Sequence, residues 1–180
     1  LELNEFALYQ AELTFRRLSS IPIIPCLGSV HNSALVKNLL SEHEIQTVYH
    51  AAAYKHVPLV EENPLEGLSN NVLGTLSLVE KCVEADVSSF VLVSTDKAVR
   101  PTNVMGASKR IAEMIVQDTA RRFPDRKLGI VRFGNVLDSS GSVVPLFREQ
   151  INKRLPITVT HPEITRYFMS VGEAARLVIQ

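Results

Sequence analysis

The chain has 180 residues, 46% of them hydrophobic and 21% charged, which are ordinary values for one globular domain with room for part of a second. Nineteen basic residues balance nineteen acidic ones, which argues against a nucleic-acid-binding surface. No apolar run exceeds four residues, which excludes a transmembrane span or signal-peptide core within the chain. Cys26 and Cys82 lack metal-ligand spacing and indicate buried thiols in a reducing compartment.

Strand-like and helix-like segments alternate along the chain. Helices are predicted over residues 6–18, 33–42, 64–86, 104–122 and 174–179, and strands over 21–27, 47–53, 90–94 and 128–133. Short apolar strands separated by helices are typical of a parallel sheet covered on both faces. We therefore predict an α/β fold, a Rossmann-like doubly wound parallel sheet, with a flavodoxin-like sheet as the alternative.

Two long helices have predicted inner faces. Asn63 and Pro64 are a typical N-cap and first residue for helix 64–86. Its apolar positions are Leu65, Leu68, Val72, Leu76, Val79 and Val83. The inner side of helix 104–122 is predicted to carry Ile111, Ala112, Ile115 and Ala120. Asn71 is unfavourable within a helix, so we expect its side chain to bond neighbouring backbone.

The predicted fold is truncated at both ends. A dinucleotide site needs a glycine-rich turn after its first strand, but the first glycine is Gly28, after a helix has already passed. The missing initiator methionine also predicts a piece of a longer protein. We assign residues 1–150 to an NAD(P)-binding domain without its first βα unit. Residues 151–180 begin a small substrate-binding region, with a possible strand over 155–160.

Polar residues follow the clearest strand. Ser94-Thr95-Asp96-Lys97 lies at its end, and Met105 and Lys109 share one face of the next helix because they are four residues apart. A lysine there can bond a nicotinamide ribose and lower a neighbouring hydroxyl's pKa. Taken singly, the lysine could be merely solvated and the Ser-Thr-Asp cluster merely a turn or cap.

The whole pattern resembles the extended short-chain dehydrogenase/reductase superfamily, and within it the bacterial polysaccharide-biosynthesis UDP-N-acetylglucosamine 4,6-dehydratases. The motifs are His50-Ala-Ala-Ala-Tyr-Lys-His-Val-Pro58, Asn70-Asn-Val-Leu-Gly-Thr75, Ser94-Thr-Asp-Lys-Ala-Val-Arg-Pro-Thr-Asn-Val-Met-Gly-Ala-Ser-Lys109, Arg132-Phe-Gly-Asn-Val136, Ser140-Gly-Ser-Val-Val-Pro145 and Thr165-Arg-Tyr-Phe-Met169. Met105 stands where the superfamily usually has tyrosine, as in the long, membrane-anchored branch of this group.

The resemblance implies oxidation of the sugar at C4, elimination of water across C5 and C6, and return of hydride to C6. The implied catalytic residues are Thr95, Asp96, Lys97, Met105 and Lys109, with neutral Lys97 as the C5 base and Asp96 as the acid at the C6 hydroxyl. Met105 cannot accept the C4 hydroxyl proton and would shape the pocket. Thr95, Lys109 or a water could relay that proton, and Asp96 could be its recipient. Alternatively, the step could lack a single base.

The resemblance also implies ligand contacts. The cofactor residues are Glu2, Gly28, Ser29, Val30, Ala51, Ala52, Ala53, Val93, Ser94, Lys109 and Val136. The substrate residues are Lys55, Asn135, Ser140, Gly141, Ser142, Val143, Val144, Pro145 and Arg166. Glu2 could instead be a helix-start carboxylate, the alanines could serve helix packing, and Arg166 could be a surface ion-pair partner. The histidines lack zinc spacing, so we predict no metal site.

The implied cofactor is NAD, with NADP left open, and the implied substrate is a UDP-sugar. Partners would be further copies of the chain, paired through helices 64–86 and 104–122, and no nucleic acid. The catalytic region would be cytoplasmic, with the full-length protein at the inner membrane. A UDP-sugar 4-epimerase and a non-catalytic Rossmann scaffold remain alternatives. The Asp96-Lys97 pair favours dehydration over epimerisation, which needs no elimination pair.

Overall fold

The computed structural model describes residues 1–137, 143–159, 161–163 and 165–180. The helices are α1 (Glu5–Leu18), α2 (Ser33–Glu42), α3 (Val57–Glu62), α4 (Pro64–Leu68), α5 (Gly74–Glu84), α6 (Val104–Arg122), α7 (Val143–Asn152) and α8 (Val171–Ile179). The strands are β1 (Thr47–His50), β2 (Ser89–Thr95), β3 (Lys127–Phe133), β4 (Asn135–Val136) and β5 (Phe168–Met169). A π-helical segment, Ser69–Leu73, joins α4 to α5, and a 3₁₀ turn, Asp96–Ala98, follows β2.

The sheet that positions the site is parallel, with strand order β1-β2-β3. In its register Ser94 pairs with Arg132 and Thr95 with Phe133. The carboxyl ends of these strands therefore meet at one edge, as the α/β prediction requires. A separate two-stranded sheet pairs β4 with β5, also in parallel.

The core lies mainly on one face of the sheet. Along β2 buried and half-buried residues alternate, with Phe90 and Leu92 buried. They pack with residues of α2, α5 and α6, namely Val36, Leu40, Leu78, Val79, Cys82, Ala112 and Val116. On the opposite face Tyr49 of β1 is 50% exposed. Among the described residues, packed helices therefore cover mainly one face of the sheet, whereas both faces were predicted to be covered.

The strand predicted over residues 21–27 is wrong. This segment makes only an isolated parallel bridge between Glu2 and Leu27. Pro22 and Pro25 have no backbone N–H to donate to a neighbouring strand, which interrupts a regular ladder. The bridge still places Glu2 beside Gly28, whose N–H donates to the Glu2 carbonyl at 2.9 Å.

The helix predicted over residues 64–86 is interrupted by the π-helical segment. An i→i+5 turn holds one extra residue, which rotates the buried face of α5 relative to that of α4. The buried face of the helix differs from the predicted apolar one: Leu65 is 80% exposed, whereas Asn71 and Thr75 are buried. The helix does begin at Pro64, but the Asn63 side chain makes no capping bond and donates instead to the Leu59 carbonyl.

Two further predictions need correction. The inner face of α6 is more polar than predicted: Ile111 is 40% exposed, whereas Ser108 and Glu113 are fully buried. Residues 155–159 form no strand, because Thr158 bonds back to the Gln150 side chain of α7 through its N–H and hydroxyl. The predicted domain boundary at residue 150 lies inside α7 and stays a prediction.

Candidate active site

Asp96 and Lys97 lie in the 3₁₀ turn directly after β2, so the turn frees their side chains from the alternation of a strand. Lys97 Nζ lies 3.1 Å from Asp96 Oδ1 and 3.2 Å from Asn135 Oδ1. Both side chains of the pair are partly exposed. The structure therefore brings together three predicted site residues from two strand ends.

The Asp96 carboxylate is held in its charged form. Partial burial acts to raise its pKa, but hydrogen bonds from Lys97 and the Thr95 hydroxyl outweigh burial and lower it. Thr95 also caps the turn by accepting from the Lys97 N–H. The predicted acid is consequently an ion-pair partner of the predicted base.

Two glycines allow other elements to approach this turn. A Cβ on Gly106 would lie 2.4 Å from the Lys97 carbonyl oxygen. A Cβ on Gly134 would lie 2.8 Å from the Tyr167 carbonyl and 3.5 Å from Asp96 Oδ2. Both distances to the carbonyl oxygens are shorter than real Cβ contacts, so α6 and the 167–169 segment can sit here only because these residues lack a side chain. Sequence reasoning missed both glycines.

Lys109 is buried beside the end of β2, and its ammonium donates to the Val93 carbonyl at 2.7 Å. Burial lowers the pKa of Lys109 to about 8, although the Glu113 carboxylate opposes the shift. Met105, one turn earlier on α6, is 3% exposed. Its thioether packs inside the protein, and the pocket-shaping role stays a prediction.

Sequence reasoning missed Glu113, which is 0% exposed. Its carboxylate accepts from the Ser94 hydroxyl at 2.6 Å and from Arg132 Nε and Nη2 at 2.7 and 2.5 Å. Arg110 adds a bond of 3.0 Å. Burial raises the pKa of Glu113, but these hydrogen bonds dominate and lower it to about 2. In the sequence a glutamate on a helix looks like an ordinary solvent-exposed residue, so no sequence signal indicated a role for Glu113.

A buried polar chain supports the strand edge. Asn71 exchanges hydrogen bonds with both backbone groups of Tyr54, at 2.8 and 2.9 Å, and donates to Ser108 Oγ. The predicted backbone bond is confirmed, but its partner lies 17 residues away rather than nearby. Thr75 donates to the Asn71 carbonyl and accepts from His50 Nε2. Burial, assisted by Lys109, lowers the pKa of His50 to about 4.

A cavity of about 780 Å³ opens after β1. Predicted ligand residues line it, namely Glu2, Ala51, Ala53 and Lys55, together with Tyr54, His56, Leu59, Val60, Asn63, Glu66 and Gly67. Ala51 and Ala53 contribute only small side chains to its wall. The cavity lies at the carboxyl end of the sheet, where ligands of such folds bind.

The other predicted ligand residues are more dispersed. Val30 packs against the core cluster, and the Ser94 hydroxyl is committed to Glu113. Arg166 is exposed and bonds the Thr165 carbonyl. Val136 lies in β4. Residues 143–145 form the first turn of α7 and are half-buried, whereas Ser140, Gly141 and Ser142 lie outside the described residues. The remaining positions, Gly28, Ser29 and Ala52, lie in loops. Their ligand roles stay predictions.

Comparison with known proteins decides the family. The model of the family described as "Polysaccharide biosynthesis protein" matches residues 1–180. The chain belongs to the polysaccharide biosynthesis protein family. This confirms the predicted membership, and the structural matches confirm the Rossmann-like fold of short-chain dehydrogenases and reductases.

Relatives of the chain carry several names. The capsular polysaccharide biosynthesis protein CapD of Staphylococcus aureus is 52% identical over 89% of the chain. An uncharacterised membrane protein of Methanocaldococcus jannaschii is 44% identical over the full chain, and a UDP-glucose 4-epimerase of Rickettsia canadensis is 39% identical over 85%. The chain spans 27%, 53% and 45% of these relatives, respectively.

Two solved structures show the shared fold. Pen from Bacillus thuringiensis matches 99% of the chain and 55% of its own, with a TM-score of 0.91 and 32% identity. DesIV of Streptomyces venezuelae, a dTDP-glucose 4,6-dehydratase with NAD and TYD bound, covers 93% of the chain and 56% of its own, with a TM-score of 0.80 and 21% identity. The likeness to DesIV shows the fold, and the 4-epimerase name is that of one relative.

The residues that the structure describes contain neither a membrane-spanning helix nor a metal-ligand cluster. No helix there combines the length and hydropathy needed to cross a bilayer. No group of three or more His, Cys, Asp or Glu side chains there is arranged to hold a metal ion.

Proposed function

We propose that this polysaccharide biosynthesis protein is the core of an NAD-dependent UDP-N-acetylglucosamine 4,6-dehydratase. The observation that carries the proposal is the Asp96–Lys97 pair, with Asn135 beside it, at the carboxyl edge of the sheet. Elimination of water from C5 and C6 needs a base and an acid side by side. A carboxyl group and an amine 3.1 Å apart provide both.

To act as acid and base, the pair must first transfer one proton internally, against the hydrogen bonds that hold Asp96 in its charged form. Moving a proton from the Lys97 ammonium to the Asp96 carboxylate turns an ion pair into a neutral base and a neutral acid. A bound sugar excludes water, and the loss of water disfavours the charged forms of both groups. Lys97 then takes the C5 proton while Asp96 gives its proton to the departing C6 hydroxyl. The elimination thereby restores the original ion pair.

The Thr95 hydroxyl is a further candidate group, for the C4 proton. It donates to Asp96 Oδ1 at 2.9 Å, so a proton received by Thr95 has a path to that carboxylate. Buried Lys109 could instead receive it if neutral, because its pKa of about 8 permits a neutral fraction near neutral pH. Met105 is buried and holds no transferable proton, so its contribution is to the shape of the site.

The residues at the sheet edge are compatible with NAD, which supplies a hydride acceptor and donor when bound. The small Ala51 and Ala53 side chains leave the 780 Å³ cavity open to an elongated ligand. Glu2 lines the same cavity and can accept hydrogen bonds from ribose hydroxyls. Lys109, buried beside the end of β2, would hydrogen-bond the nicotinamide ribose. NAD in the DesIV structure supports this assignment by analogy of fold.

The test is the mass of the product formed by the full-length protein from UDP-N-acetylglucosamine with NAD. We expect loss of one water from the sugar nucleotide. An unchanged mass with an altered configuration at C4 would favour the epimerase instead, and no reaction would favour a scaffold. The 4-epimerase relative keeps the second function open, but an epimerase has no need for the paired acid and base at C5 and C6.

We further propose a role in bacterial surface-glycan synthesis, with a UDP-sugar as substrate. The name of the CapD relative supports the first point. The name of the archaeal relative, a membrane protein, supports a membrane-anchored full-length protein. A catalytic region in the cytoplasm is part of the same proposal. Self-association through 64–86 and 104–122 is also proposed, since Leu65, Leu73 and Met114 of these helices expose more than half of their surface. Cross-linking of the full-length protein tests it.

A further inference from the structure

Glu113 stands out because it is a fully buried charge outside the proposed chemistry. It extends from α6 to the paired residues Ser94 of β2 and Arg132 of β3. Buried ion pairs add little net stability on average, because desolvation of the charges offsets their attraction. A packing role alone therefore gives little reason for this cluster, and its location gives a better one.

The two residues bonded to Glu113 lie just before the proposed catalytic groups. Ser94 is followed by Thr95, Asp96 and Lys97, and Arg132 precedes Asn135 by three residues. Lys97 spans the two strand ends by bonding Asn135. Any shift of β2 against β3 would consequently change the Lys97–Asn135 distance.

Glu113 also lies one helical turn after Lys109. At this spacing the two side chains share a face of α6. Among the described residues, the titratable groups coupled to Lys109 are Glu113 on its own helix and His50 from β1. His50 is neutral near pH 7, because its pKa is about 4. Arg110 and Arg132 face Glu113 from α6 and β3.

We propose that Glu113 is a positioning residue that fixes the ends of β2 and β3 against each other and supplies the negative charge beside Lys109. The inference rests on the proposed function for its catalytic consequence. Glu113 has no direct contact with the proposed substrate or cofactor in this proposal. It acts through Ser94, Arg132 and Lys109.

Glu113→Gln in the full-length protein tests the inference, because glutamine keeps the shape and removes the charge. We expect a fall in kcat of about 10²-fold, typical of misplacement by about 1 Å. We also expect the alkaline limb of the pH profile to move to lower pH, since Lys109 loses its stabilising carboxylate. A matched control is Val116→Ala, one turn later on α6 at 1% exposure, which loses packing but no charge. It should lower stability and leave the pH profile in place.

A direct titration separates this inference from the proposed function. The ¹³Cε shift of Lys109 is followed with pH in protein labelled with ¹³C-lysine and assigned with Lys109→Arg. The pKa of Lys109 should be lower in Glu113→Gln than in the parent. The positioning role is overturned if the pKa of Lys109 is unchanged in Glu113→Gln. It is also overturned if the pH profile of Glu113→Gln stays in place, as expected for Val116→Ala. Failure of the parent to convert UDP-N-acetylglucosamine would refute the proposed function alone, because the titration needs no turnover.

Discussion

Gly106→Ala tests whether close packing of α6 sets the geometry of the catalytic turn. The added methyl group would meet the Lys97 carbonyl oxygen at 2.4 Å. An ordinary contact between such atoms needs about 1 Å more space. Because the obstacle is backbone rather than a flexible side chain, either α6 or the turn carrying Asp96 and Lys97 must move.

The expected effects on stability and on rate differ in size. Overpacking typically costs 1–3 kcal/mol, but alanine in a helix recovers about 1 kcal/mol relative to glycine. The net loss of folding free energy is therefore about 0–2 kcal/mol. A shift of about 1 Å in Lys97 can cost about 10²-fold in rate, because its 3.2 Å bond to Asn135 cannot survive it.

The assay compares kcat and the unfolding midpoint of the full-length Gly106→Ala protein with those of Gly129→Ala. The control adds the same methyl group in β3, where nothing lies within 4 Å of the new Cβ. We expect Gly129→Ala to keep parental activity and Gly106→Ala to lose it at a similar midpoint. Parental kcat in a folded Gly106→Ala protein would refute the reasoning.

Three further outcomes are expected. Lys97→Ala should abolish uptake of solvent deuterium at C5, measured by the mass of the sugar nucleotide recovered from deuterated water. Exposed Lys37→Ala is the control, and exchange at the parental rate in Lys97→Ala would exclude Lys97 as the base. Met105→Leu should retain most activity in a turnover assay, and a loss beyond about 10³-fold, or about 4 kcal/mol, would show that the sulfur is needed. Between pH 6.5 and 4 the free energy of unfolding of the parent should fall as the pH falls, because the unfolded chain binds a proton on His50 in that window while the folded chain does not. His50→Gln should make this dependence on pH weaker. The parent should lose up to about 3 kcal/mol there by urea unfolding, and an equal slope in both proteins would contradict this.

The sequence predicted the features that depend on local pattern. The apolar run ending at Ser94 predicted a strand with polar groups after it, and the structure places Asp96 and Lys97 in that position. Helix starts were predicted to within a residue at Ser33 and Val104. These features depend on neighbouring residues, which a linear reading contains.

Features set by distant contacts were not predictable in this way. Glu113 looks like a solvated helical residue until β2 and β3 are placed beside it. Gly106 and Gly134 look ordinary until the backbone that approaches them is known. The segment over 21–27 has strand-like residues, but its prolines interrupt the ladder. In each case the structure is decided by a contact with a residue that is distant in the sequence, or by the geometry of the backbone.

The π-helical segment Ser69–Leu73 has a consequence for anyone redesigning this region. Its extra residue rotates the side chains that follow it about the helix axis, relative to their positions in a regular α-helix. Deleting one residue there would make a regular helix, which propensity alone would favour. It would also turn Asn71 or Thr75 out of contact with Tyr54 and His50. Shortening is therefore expected to straighten the helix and release the loop after β1, where the cavity opens.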